Sequence, residues 1–291
     1  TWFVLQDTTF DEQNELPSMI GSSANAPIIF RGESDTSETI IQSNISSGDG
    51  NNYVVQFDGL DHVYMENLTL KNTSGSSYRS VVRFDGDCEW ITLDNTKVIA
   101  ENVSNTSVPR QALITNYQTN NTSLNHLTVS NSELRGGNWG ADFEDTGDDI
   151  RFMGNTFIDN SWQTIEFDNV DNVHFSDNTI MTPAQYGVVE FRDVDGLEIT
   201  ENVIHPGITS VSYDGIYLWN CSGTSADPVL IANNMISHGQ KWSTSSASAI
   251  YVNNGNYVDI VNNSLLSRYN NVSSYSLEVR GGGAINVFNN N

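Results

Sequence analysis

Three short segments hold the residues with the most evident chemistry: Asp142-Phe143-Glu144, Glu166-Phe167-Asp168 and Glu190-Phe191-Arg192. In an extended strand the residues flanking each Phe point to the opposite face from it. Stacked at ~4.8 Å per step, such strands line up Asp142, Glu166 and Glu190 in a column. Five carboxylates and Arg192 are then expected on one exposed face. Carboxylates that close raise one another's pKa or demand a cation. A pair of them is what glycoside hydrolysis needs, one as acid and one as base or nucleophile. The candidate catalytic set is therefore Glu166, Glu190, Asp168, Asp142 and Arg192. The oxygen-rich trio Asp142, Glu144 and Glu166 is a candidate Ca²⁺ site, although hydrolysis by carboxylates requires no cofactor. Tyr217, Trp219 and Tyr251 fall on the same face, and Trp242 lies in a nearby loop; these are the candidate substrate-stacking residues. An acidic composition accounts for part of such a stripe by itself.

These segments need a repeating scaffold, and the sequence contains one. A polar residue, an Asn and an apolar alternation recur as Glu66-Asn67-Leu68, Asp94-Asn95-Thr96, Ser130-Asn131-Ser132, Gly154-Asn155-Thr156 and Asp177-Asn178-Thr179. The series continues through Glu201-Asn202-Val203, Asn233-Asn234-Met235, Asn262-Asn263-Ser264 and Asn289-Asn290. Between the repeats lie short runs with period-2 alternation, which read as strands. Three short strands per repeat cannot bury their apolar faces alone, but stacked coils can. The stack predicts an inward column of Phe57, Phe84, Phe143, Phe167 and Phe191, continued by Leu218, Val252 and Val279. It predicts a second column of the recurrent Asn, bonded amide to amide. Tyr53, Tyr78, Trp139, Trp162, Tyr186, Tyr213 and Tyr275 precede the Phe strand and suggest an aromatic ladder at a turn.

The Asn-bearing coils, with the opening Pro27-Ile28-Ile29-Phe30-Arg31-Gly32 and the following Thr39-Ile40-Ile41, resemble the right-handed parallel β-helix repeat proteins of the pectate-lyase-like superfamily. The resemblance spans nearly the whole chain. It implies an all-β, single-stranded right-handed parallel β-helix of about nine to ten coils, one domain over 1–291 with residues 1–50 as its first coils. It does not fix an activity, because that fold carries lyases, hydrolases, adhesins and tailspikes. The lyases of the superfamily imply a basic residue for proton abstraction; Arg192 and Arg83 are the basic residues on the relevant strands. The polygalacturonase-like series is echoed only by Gly147-Asp148-Asp149 and Ser237-His238-Gly239, nearly four coils apart.

The 36 acidic and 12 basic residues give a formal charge of −24, which repels nucleic acid and anionic membrane surfaces. Lacking an apolar run of membrane-spanning length, the sequence is not expected to insert in a membrane. The abrupt ends suggest a segment of a longer secreted protein. About ten Asn-x-Ser/Thr sequons are present, close to what this composition gives by chance. Five coils are expected to separate Cys88 from Cys221, too far for a disulfide. The five His residues show no metal-ligand spacing. Long loops at 101–111, 116–125, 221–228 and 237–248 are expected to wall the acidic face. The sequence favours an extracellular or cell-surface solenoid with a structural or adhesive role, its partners a polysaccharide or neighbouring copies of itself. A secreted polysaccharide-degrading enzyme using the carboxylates, or a non-catalytic glycan-binding module, are the alternatives.

Overall fold

The computed structural model describes residues 1–34, 39–45, 51–75, 79–101, 111–116, 123–182, 188–205, 214–238, 247–267 and 274–291, the side chains of 145, 146, 238, 267 and 274 excepted. The chain winds as a right-handed parallel β-helix. Every strand pairing among the described residues is parallel, apart from one isolated bridge. Three sheets run along the axis. Sheet I starts at Asn14–Pro17 and ends at Ser274–Arg280. Sheet II runs from Trp2–Leu5 to Gly283–Phe288. Sheet III stacks ten strands, from Thr9–Asp11 to Ser264–Ser267. Two long strands, Trp139–Met153 and Gln163–Ser176, pass from sheet I into sheet II and join the two.

The expected Phe column is present. Phe57 pairs with Phe84, Phe143 with Phe167, and Phe167 with Phe191, followed by Leu218, Val252 and Val279. Between Phe84 and Phe143 one coil supplies no ring, its strand ending at Thr115, and the two rings lie 6.3 Å apart across it. All five rings are fully buried or nearly so. At about 1.5–3 kcal/mol for each large apolar side chain, such columns are the main stabilising term. The core is continuous from Ile28 to Ile260.

The Asn column is also present as expected from Asn155 onward, whereas Asn67, Asn95 and Asn131 are one residue out of register with it. Asn155, Asn178, Asn202, Asn234, Asn263 and Asn290 form the inward ladder. The backbone N–H and side-chain amide of each both donate to the Oδ1 of the next, as from Asn178 to Asn202 at 3.0 Å. Each side-chain amide also donates to a backbone carbonyl of the coil below, as Asn178 does to Phe152 at 2.9 Å. Asn67, Asn95 and Asn131 sit one residue earlier, level with Gly154, Asp177 and Glu201. Their ladder positions are taken by Leu68, Thr96 and Ser132. This earlier position is left-handed in each coil from Asn67 to Asn289, with φ 57° at Asn67, 47° at Asn95, 67° at Gly154 and 58° at Asn233. Asn tolerates that conformation better than most residues. Adjacent positions thus favour Asn for unrelated reasons, and a one-residue slip between them reverses which side chain points inward.

Among the described residues the aromatics form no continuous ladder, although the Trp139 and Trp162 rings lie 6.2 Å apart. Trp139 is level with Ala112 and Gln163, while Ser248 is level with Tyr275. Trp162 lies one residue before that column, and Tyr78, Tyr186 and Tyr213 lie outside the described residues. Cys88 and Cys221 are both free and buried, as the coil spacing requires. Each thiol donates to backbone carbonyls, Cys88 to Phe57 and Cys221 to Phe191. Burial pushes Cys88 up to about 11 and Cys221 up to about 12. Among the described residues no helix is long and apolar enough to cross a membrane.

Replacing Asn178 by Ala would leave the Asn155 N–H and the Phe152 carbonyl buried without partners, at a cost of about 3 kcal/mol. Asn95→Ala would cost only about 1 kcal/mol, from the left-handed backbone. Urea denaturation of both variants tests the register, and equal losses would contradict it. Both thiols should resist alkylation at pH 8 in the folded protein and react in denaturant, as counted by mass spectrometry.

Candidate functional site

The outer side of sheet I brings the candidate residues together. Thr115, Asp142, Glu166, Glu190, Tyr217, Tyr251 and Glu278 form one column. A second, two residues on, holds Glu144, Asp168, Arg192, Trp219, Asn253 and Arg280. Trp139, Gln163, Asp214 and Ser248 border the first column on its other flank.

The expected juxtaposition is therefore observed, but the expected exposure is not. Asp142 is 3% exposed and Glu190 6%. The reason lies in their neighbours. Trp139 Nε1 donates to Gln163 Oε1 at 2.9 Å and to Glu166 Oε2 at 3.2 Å, and the Gln163 amide donates to Glu190 Oε2. Arg192 grips Glu190 Oε1 through Nε at 2.6 Å and through a terminal nitrogen at 2.5 Å, and its other terminal nitrogen reaches Glu166 Oε1 at 3.5 Å. The carboxylates are thus held between an indole, an amide and a guanidinium. Asp142 Oδ1 has no hydrogen-bond partner among the described residues.

Burial dominates the electrostatics here. It raises the Asp142 carboxyl well above the usual range, helped by Glu166, Glu144 and Asp168. It raises Glu166, against the opposing pull of Arg192 and Trp139. It pushes Glu190 up to about 7, helped by the charge on Glu166 and opposed by Arg192. Asp214 rises to about 6 through burial, opposed by its hydrogen bond from the Ser248 N–H. Perturbed acids in one cleft are a signature of functional sites.

Tyr217 and Tyr251 stack at 5.1 Å with 15° between their planes. Trp219 beside them is 43% exposed. Trp242 lies outside the described residues, as do most of the loop positions expected to wall the face. Asp142, Glu144 and Glu166 share this face, and among the described residues no three His, Cys, Asp or Glu side chains form a group that could hold a metal ion.

Gln163, Asp214, Glu278 and Arg280 are not singled out in the sequence, and Trp139 is singled out there only as a member of the aromatic ladder. Two of them were legible: Glu278-Val279-Arg280 repeats the carboxylate-apolar-Arg spacing of Glu190-Phe191-Arg192 further along the same columns. Gln163 and Asp214 lie outside the strict alternation of that strand, and only the fold places them.

Residues 72–290 match the family model described as periplasmic copper-binding protein (NosD). The chain belongs to the NosD family. No protein of curated function matches this NosD-family sequence. Among solved structures it is similar to the Dettilon tailspike protein, at a TM-score of 0.64 and 14% identity over 98% of this chain and 52% of that one. It therefore spans about half the length of the tailspike. It is also similar to alginate lyase from Paenibacillus sp. str. FPU-7, at a TM-score of 0.55 and 12% identity over 98% of this chain and 92% of that one. A third similar structure is DFA-IIIase from Arthrobacter chlorophenolicus A6 without its lid, at a TM-score of 0.59 and 8% identity over 99% and 83%. At these identities the likeness concerns the fold.

Raised carboxyl pKa values make the folded NosD-family chain bind protons more tightly than the unfolded one. The linked stability is fully present below the unfolded carboxylate range of about 4. It is lost as pH climbs through about 6 at Asp214 and about 7 at Glu190. The thermal unfolding midpoint should fall by several degrees from pH 4.5 to pH 8. Glu190→Gln should flatten the part between pH 5 and 8, an effect of about 3 kcal/mol. An unchanged slope in that variant would contradict the burial of Glu190.

Proposed function

We propose that this NosD-family chain works outside the cytoplasm, holds a polysaccharide along sheet I and hydrolyses it with Glu166 and Glu190. The observation that carries the reading is the pairing of those two carboxylates on adjacent coils with Glu190 held near neutrality. Adjacent coils are ~4.8 Å apart, close to the ~5–5.5 Å carboxyl separation of retaining glycosidases. Glu190, protonated in part at neutral pH, supplies a proton to the leaving glycosidic oxygen. Glu166, whose carboxylate form Arg192 and Trp139 favour against the effect of burial, attacks the anomeric carbon. The glycosyl–enzyme ester then breaks by attack of water, with Glu190 accepting its proton. Tyr217, Tyr251 and Trp219 offer flat faces for sugar rings along the same line.

The partner follows from charge. Asp142, Glu144, Glu166, Asp168 and Glu190 against Arg192 leave the face strongly acidic, which disfavours polyuronates such as the alginate named for the Paenibacillus lyase. A neutral or cationic glycan suits it. Location outside the cytoplasm is supported by the family's description as periplasmic and by the tailspike likeness.

The same family description names copper. The described residues do not fit it. No three His, Cys, Asp or Glu side chains among them form a group that could hold a metal ion. Both Cys thiols point into the core.

A second reading, a surface or envelope scaffold that contacts glycan without cleaving it, is favoured by one observation. Both oxygens of Glu190 are already engaged, by Gln163 and Arg192. Release of reducing ends from a panel of neutral polysaccharides separates the two. Hydrolysis requires that Glu166→Gln and Glu190→Gln each lower turnover by about 10²–10⁴ with binding retained. Binding without turnover in the parent protein supports the scaffold.

A further inference from the structure

Beyond the Glu166–Glu190 pair, sheet I carries a concavity toward its C-terminal end. It is a cleft of about 230 Å³ lined by Asp214, Tyr217, Tyr251, Glu278 and Arg280. Its polar groups are fixed in advance. Ser248, fully buried, donates its backbone N–H to Asp214 Oδ1 at 2.6 Å and its hydroxyl to Glu278 Oε2 at 3.1 Å. One serine thus orients both carboxylates. Arg280 Nε donates to Glu278 Oε1 at 2.6 Å, and its guanidinium lies 5.5 Å from the centre of the Tyr251 ring. A cation therefore already rests against the aromatic wall, the geometry of a cation–π contact.

Two carboxylates and one guanidinium leave this cleft with a single formal negative charge once Asp214 is ionised. The cleft is smaller than the roughly 300–1,000 Å³ of sites for drug-sized ligands, so it admits one sugar ring or less. Carboxylates beside stacked phenols recognise an ammonium that carries apolar C–H surface.

We propose that this cleft is a subsite for an amine-bearing sugar, its free ammonium received by Asp214 and Glu278 and its ring laid against Tyr217 and Tyr251. This assigns the polysaccharide of the preceding reading to the amino-sugar class, and rests on that reading for its polymeric context. The subsite itself stands on the cleft. Groups that set its charge are Asp214, Glu278 and Arg280 within it and Glu190 and Arg192 on the neighbouring coils. Burial holds Asp214 near 6, so ammonium affinity should strengthen as pH rises through that value.

Glucosamine, glucose and N-acetylglucosamine are the probes, titrated against the whole chain at pH 7 by calorimetry and by tyrosine fluorescence. Glucosamine should bind saturably and at least tenfold more tightly than the other two. Asp214→Asn and Glu278→Gln should each abolish that preference without changing the circular dichroism spectrum. Glu166→Gln should keep it while losing polysaccharide hydrolysis. Equal affinity for the three sugars, no binding of glucosamine, or a preference that survives Asp214→Asn would overturn the subsite. Loss of hydrolysis in Glu166→Gln would then still stand as a separate result, so the subsite and the hydrolytic reading fail independently.

Discussion

The amide of one asparagine per coil, from Asn155 to Asn290, governs this molecule. Where the chain turns from sheet II into sheet III, backbone groups leave the regular ladder and would be buried without partners, a cost of about 1–3 kcal/mol each. From Asn178 to Asn290 the ladder oxygen of every coil accepts from the backbone and side-chain amide of the coil before it. Ser132 and Thr96 carry the same line toward the N-terminal coils with their N–H groups and a hydroxyl. The ladder holds the coils at strand spacing and in register, and the side chains on sheet I inherit that register. Without it, Glu166 and Glu190 would have no reason to lie on adjacent steps of one column.

Register also explains how a buried acidic cluster can exist in a stable fold. On a globular surface these carboxylates would move apart. Here each Cα is fixed by parallel pairing above and below, so the acids must accommodate one another through neighbours rather than by motion. Arg192 bridges Glu190 and Glu166, while Gln163 donates to Glu190 and Trp139 to Glu166. Removing one member of such a set leaves another buried group unpaired.

Most of the architecture was legible in the sequence because inward columns leave a periodic trace. Phe143, Phe167 and Phe191 recur at coil spacing and pair as expected. The Asn trace was legible but ambiguous, since a left-handed turn and an inward ladder favour the same residue type at adjacent positions. Asn67 and Asn155 therefore look equivalent in sequence while facing different ways. Identity of the acidic column was readable, but its burial was not. Exposure depends on Trp139 and Gln163, which approach from the flank of the strand. Asp214 escaped for the same reason: it lies at the bend into its strand, where alternation gives no direction.

The spacing between strands is uneven around the axis. From Glu66 onward, one or two residues separate each sheet II strand from the next sheet III strand, the length the ladder corner allows. Between sheet III and the following sheet I strand, the interval ranges from three to eleven residues. Variation in length is thus tolerated at the corner adjoining the acidic face and resisted at the corner that holds the coils together. A lineage can lengthen or exchange segments beside the cleft, and so retune what it recognises, while the rod beneath is inherited unchanged.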